Sequence, residues 1–328
     1  MMPPAKSADP MHALSAASPA QIERRRQRLM QILANGLPTL PSYVLDLNAL
    51  LSSASVDLKK VGKVIRTDPS LSAQVLRLCN SALFGLRRRV ISIEQAAVLL
   101  GTERLRTLIL TCSVMQFAGK RLAAERLATF WQHSFLAALL SERIARQTDY
   151  FEKEQAYLGG LLHDIGQLPL WMVVVEDESR HLPPPPPDWP DNCHLEREFF
   201  GMDHCKVGRW MAVSWNFMPS FLDVFEAHHH PDRAKHDPYL VGIIAVADRF
   251  LHAQQDAAPE HSPDTPSTLE TLPSDTASAD FIQSCLPQLV ESERHALLEM
   301  LQTEYIHLLP LVQLGITTAS GNGTHQSH

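Results

Sequence analysis

Apolar positions recur at helical spacing along most of this chain, and convincing strand alternation is missing from its first half. Leu58, Val61 and Ile65 share one helical face, with Ser55 placed to cap it. Asp68 followed by Pro69 is an N-cap with proline at the first helical position, and that helix runs through Leu71, Val75 and Leu78 towards Asn80. Ser92 with Gln95 forms a capping box, Gly101 ends that helix, and Thr102 caps the next. Beyond Arg121, helices are expected at 122–147, 154–164, 191–201, 204–215, 219–228 and 238–254. A last one spans 280–309, with a break near Pro287. These elements define an all-α fold.

Punctuation divides the chain. Residues 1–18, rich in Ala, Pro and Ser, read as a disordered tail, and a charged helix follows up to Asn35 and Gly36. Leu37, Pro38 and Pro41 mark an extended entry segment. The prolines at 183–187 form a polyproline-like surface loop. Residues 256–279 read as a flexible linker, 280–316 as a C-terminal helical segment and 317–328 as a disordered tail. No repeat of fixed period is present. Asn80, Ser81, Phe84 and Gly85 read as a helix end and a packing aromatic.

Composition narrows the function. The 328 residues are 45% hydrophobic and 20% charged, with a net charge of -7, which argues against a nucleic-acid surface. The arginines at 24–26 and 87–89 read as solvated helix ends. Five scattered cysteines without a CxxC pair form neither a zinc knuckle nor a disulfide framework, as in a reducing compartment. No apolar h-region opens the chain, and no uncharged apolar run reaches the ~18 residues of a bilayer span. A cytoplasmic location is expected.

The histidines carry the chemistry. None lies between His12 and His133, yet ten of the sixteen fall from His133 to His252. His133 sits in the apolar run FWQHSFLAALL, His163 and Asp164 in YLGGLLHDIG, and Asp248 in LVGIIAVADRF. A carboxylate on such a face is costly unless it is paired, hydrogen-bonded or bound to a metal. Imidazole nitrogen and carboxylate oxygen are ligands for divalent metals. His204 and then His228 and His229 follow downstream, and antiparallel helices can bring all of these to one point. Each residue has a plainer reading: a core histidine bonded to a carbonyl, a solvated helix end for the histidines at 228–230, or an ion-pair partner of Arg249 or Lys206 for Asp248. The weight rests on the joint pattern.

That order, His133, His163 with Asp164, His204, His228 with His229, and Asp248, resembles the HD superfamily of metal-dependent phosphohydrolases. More closely, the chain resembles the HD-related output domain, HDOD. The segments IRTDPSLSAQVLRLCNSALFG, ISIEQAAVLLGTERLRTLIL, LLHDIGQLPL, GMDHCKVGRWMAVSWNFMP and AHHHP carry the likeness, with LPTLPSYVLDLNALL before them. It implies two packed helical halves, 37–120 and an HD-like bundle at 121–255. It also implies a metal site at His133, His163, Asp164, His204, His228, His229 and Asp248 for one or more divalent ions: iron, manganese, zinc or magnesium. The ligand set is intact, although many HDOD proteins have lost parts of it.

The chain departs from the cyclic-dinucleotide-hydrolysing HD-GYP branch. Gln167 follows HDIG where that branch has lysine, and Trp215, Asn216 and Phe217 stand in place of a GYP segment. The expectation is therefore a signal-transduction output or regulatory module that contacts other signalling proteins, with neither membrane nor nucleic acid as partner. The oligomeric state stays open. The alternative is a metal-dependent phosphohydrolase of nucleotide or cyclic-dinucleotide phosphodiesters. In it Asp164 is catalytic, bridging metals or orienting the attacking water.

Overall fold

Local capping chemistry sets where several helices begin in the computed structural model, which describes residues 18–35, 58–65, 67–176, 193–256 and 276–319. Among the described residues every regular element is helical. In chain order these are α1 Pro19–Asn35, α2 Leu58–Ile65, α3 Pro69–Cys79, α4 Ile93–Leu100, α5 Thr102–Gly119, α6 Ala124–Gln147 and α7 Lys153–Leu162. Then come α8 Gln167–Glu176, α9 Cys193–Phe200, α10 His204–Ser214, α11 Pro219–Ala227, α12 Pro238–Asp256, α13 Thr276–Cys285 and α14 Glu291–Ala319. The Ser55 cap, the entry segment from Leu37, the 183–187 prolines and most of the 256–279 linker lie outside the described residues.

Asp68 Oδ1 accepts the amide of Leu71 at 2.9 Å, as its place before Pro69 requires. Ser92 Oγ accepts the Gln95 amide at 3.1 Å, while Gln95 reaches back to the amide of Ile91 at 3.0 Å. Thr102 is the first residue of α5 and makes no side-chain cap. Gly101 takes the cap position, with a φ of +84° that suits glycine. Asn80 does more than end a helix. Its amide nitrogen donates to the carbonyls of Leu76 and Val90, and its oxygen accepts the Val90 amide at 2.7 Å, closing the loop that carries the exposed Arg87, Arg88 and Arg89. Arg25 is not a solvated helix end: it is buried with its guanidinium 3.6 Å from the centre of the Phe199 ring, docking α1 on α9.

The C-terminal region breaks around Pro287 as expected, between α13 and α14. Its end departs from expectation: α14 continues through Pro310 to Ala319, ten residues past the expected end. A proline inside a helix costs one backbone hydrogen bond. Burial of Val312 and Ile316 beyond it offsets that cost.

The helices form two packed halves. In the first, α3 packs on α4 and α5, and α2 on α4. In the second, α6 and α7 pair, α12 lies across both, and α10 and α11 pack beside them. Arg104 of α5 joins the halves, reaching Glu142 of α6 at 2.7 Å and Glu154 of α7 at 3.1 Å over the face of Tyr157. Helix α14 packs on α6 and on α3, so it touches both halves. The stretch Lys153–Val175 is long and apolar enough to span a bilayer. However, 83% of that window is buried within the protein, and a turn at 163–166 interrupts it.

Candidate metal centre

Two glycines place the HDIG turn. Helices α6 and α7 approach so closely that a Cβ on Gly160 would lie 2.6 Å from the carbonyl oxygen of Ala137. This sets His133 of α6 beside His163, with their Nε2 atoms 3.4 Å apart. Helix α7 ends at Leu162, so His163 and Asp164 diverge within a turn rather than along a helix. Gly166 is a contact glycine as much as a helix stop: a Cβ there would collide with the carbonyl oxygen of His204 and the amide of Gly208. Helix α10 therefore lies on the turn, and its first residue, His204, reaches Asp164. The turn after α11 adds His228 and His229, and α12 adds Asp248. The third histidine of that run, His230, is exposed and lines a surface cavity instead.

All seven expected residues converge, in two groups that share Asp164. In the first, His133 Nε2 lies 3.1 Å from Asp248 Oδ1, and His163 Nε2 lies 3.3 Å from the same oxygen. Asp164 Oδ2 stands 3.4 Å from His163 and 3.8 Å from His133. In the second, Asp164 Oδ1 is 3.3 Å from His204 Nε2 and 3.5 Å from His228 Nε2, while His204 and His229 meet Nε2 to Nε2 at 3.1 Å. Asp164 Oδ1 and Asp248 Oδ1 are buried against the imidazole nitrogens of the cluster. A buried carboxylate is costly unless such partners carry protons or a cation sits among them.

The outer contacts orient the rings. His163 Nδ1 donates to the Gly160 carbonyl at 2.8 Å, His228 Nδ1 to the Val224 carbonyl at 3.0 Å, and His204 Nδ1 to Glu196 Oε2 at 2.7 Å. Each leaves an Nε2 lone pair facing the cluster, the arrangement that metal-ligating histidines require. Burial opposes charge throughout; the aspartates with His163 and His204 hold one another ionised, while His228 and His229 are shifted down. Burial alone would raise Asp164 and Asp248, yet the neighbouring histidines hold both well below the usual carboxylate range. Burial would lower His163 and His204; the two aspartates keep His163 well above its ordinary value, and Glu196 lifts His204 to about 10. Burial, with His228 and His204 beside it, lowers His229 to about 2.

Sequence reasoning missed four participants. His252 Nε2 lies 3.1 Å from Asp248 Oδ1, one helical turn along α12. The i, i+4 spacing carried that signal. Glu196 also accepts the backbone amide of His204 at 2.8 Å, and nothing local in CHLEREFF marks it. The cysteines are less scattered than their spacing implies: Cys193 and Cys205 meet with sulfurs 3.6 Å apart, both as free thiols. Asp248 faces the centre and not Lys206. Arg209 pairs with Glu226 at 3.0 Å, and Lys206 lines the surface cavity with His230.

An all-helical chain with this buried His/Asp cluster falls in the class of HD-type helical proteins. The HDOD domain model matches residues 37–231, and the chain belongs to the HDOD family. It is 24% identical to an HDOD domain protein of unknown function from Geobacter sulfurreducens, over 91% of this chain and 99% of that one, with a TM-score of 0.62. A candidate phosphohydrolase from Shewanella amazonensis is 27% identical over 89% and 97% of the two chains, with a TM-score of 0.59. A candidate signal-transduction protein from Marinobacter aquaeolei shares the fold at 18% identity, over 95% and 65%, with a TM-score of 0.63. A curated relative, an uncharacterized protein of Treponema pallidum, is 24% identical over 234 residues, 66% of this chain. The chain spans 43% of that relative's length.

Proposed function

We propose that this HDOD protein is a metal-dependent phosphohydrolase built around a pair of divalent-ion positions. The observation that carries the reading is Asp164, whose two oxygens are divided between two histidine groups. His133, His163 and Asp248 complete one position, and His204, His228 and His229 the other. Ions bound there would supply an activated water at neutral pH and neutralise charge on a phosphoryl group. Asp164 would serve both groups, one oxygen to each. Positive charge at the site would then not depend on a lysine in the place of Gln167. The substrate class is a phosphodiester of a nucleotide or cyclic dinucleotide.

The test uses reduced protein loaded with Mn²⁺ or Fe²⁺ and assayed on bis-(4-nitrophenyl) phosphate and on cyclic dinucleotides. Turnover is expected in the wild type and lost in Asp164→Asn and in His163→Ala. Protein that carries two ions per chain and turns over neither substrate would refute the reading.

A role through partner contacts is supported by a different surface. Ile91 and Val98 are 77% and 74% exposed at and beside α4, next to the arginines at 87–89. Reversing Arg87, Arg88 and Arg89 to Glu is expected to abolish a cellular signalling output while leaving metal content intact. An unchanged output would remove that role.

A further inference from the structure

The thiols of Cys193 and Cys205 face the second histidine group and not the apolar core. Cys205 Sγ lies 3.5 Å from His204 Nε2, and Cys193, His204, Cys205 and His229 offer four ligand atoms that all lie within 4.8 Å of one another. A tetrahedral zinc ion, with Zn–S of about 2.3 Å and Zn–N of about 2.0–2.1 Å, has S···S, S···N and N···N edges of about 3.8, 3.6 and 3.3 Å. The three edges seen here are 3.6, 3.5 and 3.1 Å. Three of the six edges therefore lie within about 0.2 Å of a zinc tetrahedron, and the ligand atoms of the other three lie within 4.8 Å of one another.

We infer that Cys193, Cys205, His204 and His229 form a thiolate-bearing zinc position beside the His/Asp centre. It overlaps the second position of that centre in His204 and His229 but rests on the cysteine pair and not on the hydrolytic reading.

Three further observations support it. Glu196 fixes the His204 ring so that Nε2 faces the sulfurs, the outer contact a ligand histidine needs. Cys205 lines an open cavity of about 810 Å³ bounded also by Asp203, Lys206 and Asp223, which gives an ion a route in from solvent. The plainer alternative, a buried thiol pair packed as small apolar groups, predicts hydrocarbon neighbours, yet a buried imidazole nitrogen stands against Cys205.

The donor sets separate two kinds of ion. Two thiolates and two imidazoles favour a borderline-soft ion such as zinc, whereas the Asp164 position, with oxygen and nitrogen donors only, suits manganese or iron(II). One imidazole nitrogen cannot serve both at once. Zinc seated on the cysteines withdraws His204 and His229 from Asp164, and with four protein ligands it keeps no open coordination position for water. Zinc would thus hold the chain in a form that lacks the second ion position.

The experiment is a cobalt(II) titration of the reduced, metal-free full chain, followed by absorption. A thiolate-to-cobalt charge-transfer band in the near ultraviolet is expected at one equivalent, displaced by zinc. The band should vanish in Cys193→Ser and in Cys205→Ser, and persist in His133→Ala and in His228→Ala, which alter only the His/Asp groups. Zinc-edge X-ray absorption on the zinc-loaded wild type needs no variant to fold, and two sulfur scatterers at about 2.3 Å are expected. A wild type whose zinc shows only nitrogen and oxygen neighbours would overturn the inference. A sulfur signature in a protein without phosphodiesterase turnover would keep this position and remove the hydrolytic reading. Turnover without any sulfur signature would do the reverse.

Discussion

Glu196 touches no candidate ion position, yet it holds His204 at two points, through the ring Nδ1 and the backbone amide. Glu196→Gln keeps the shape and removes the charge. Metal affinity is expected to fall about 10–100-fold with the fold intact, as measured by competition titration. Proton linkage belongs to the same scale. Glu196 lifts His204 to about 10, and the two aspartates raise His163 well above its ordinary value. A ligand histidine must be neutral, so an ion displaces those protons and its apparent affinity should rise with pH across the neutral range. Affinity independent of pH would mean these rings are not ligands. The seven converging residues were legible because His133 and Asp248 interrupt apolar helical runs and the others follow in the order of the family motif. His252 obeyed the same rule at Asp248+4 and was readable. Glu196 and the cysteine pair were not, because only the packing of α9 against α10 brings them to His204.

Among elements, capping separates what is local from what is not. Asp68→Ala should cost about 0.5–2 kcal/mol in chemical denaturation. It should leave metal content unchanged, since α3 contributes no candidate ligand. Asp68, Ser92 and Gly101 could be read from sequence because their chemistry is complete within four residues. The end of α14 could not: Pro310 is a local stop signal, and burial of Val312 and Ile316 overrides it. The pairing of α5 with α6 was equally hidden, since Arg104 and Glu142 are far apart in the chain. Burial pushes the Glu142 carboxyl up, but Arg104 and Arg146 hold it below its ordinary value. Glu154, 43% exposed, shifts upward instead, its burial outweighing the same Arg104, so Glu142 is the stronger partner. A carboxylate with a depressed folded value stabilises above its unfolded value of about 4.3, and the contribution fades as pH falls through the lower folded value. Glu142→Gln should therefore cost about 1–3 kcal/mol near neutral pH, the range for a broken buried charged hydrogen bond. The gap from wild type should close in acid, and a gap constant with pH would show that Arg104 does not hold the halves through this carboxylate.

At the scale of the whole molecule, every candidate ion ligand among the described residues comes from the second half: α6, the turn after α7, α9, α10, the turn after α11, and α12. That division into halves was readable from the motifs on either side of Arg121, but the element that ties them was not. Helix α14 shows no marked amphipathic face, and nothing in its sequence says that it packs on α3 as well as on α6. Ion binding would therefore stabilise one half directly and reach the other through α5, with its Arg104, and through α14. An ion at 100 times its Kd adds about 2.7 kcal/mol to whatever unfolds with the site. For a cooperative unit of 150–250 residues, about 2–4 °C per kcal/mol, chelation should lower the midpoint by about 5–10 °C. Because α14 and Arg104 join the halves, differential scanning calorimetry should show one transition that moves as a whole. A profile that splits, with only one component following the chelator, would show that the first half folds independently of the site and that α14 does not couple the two.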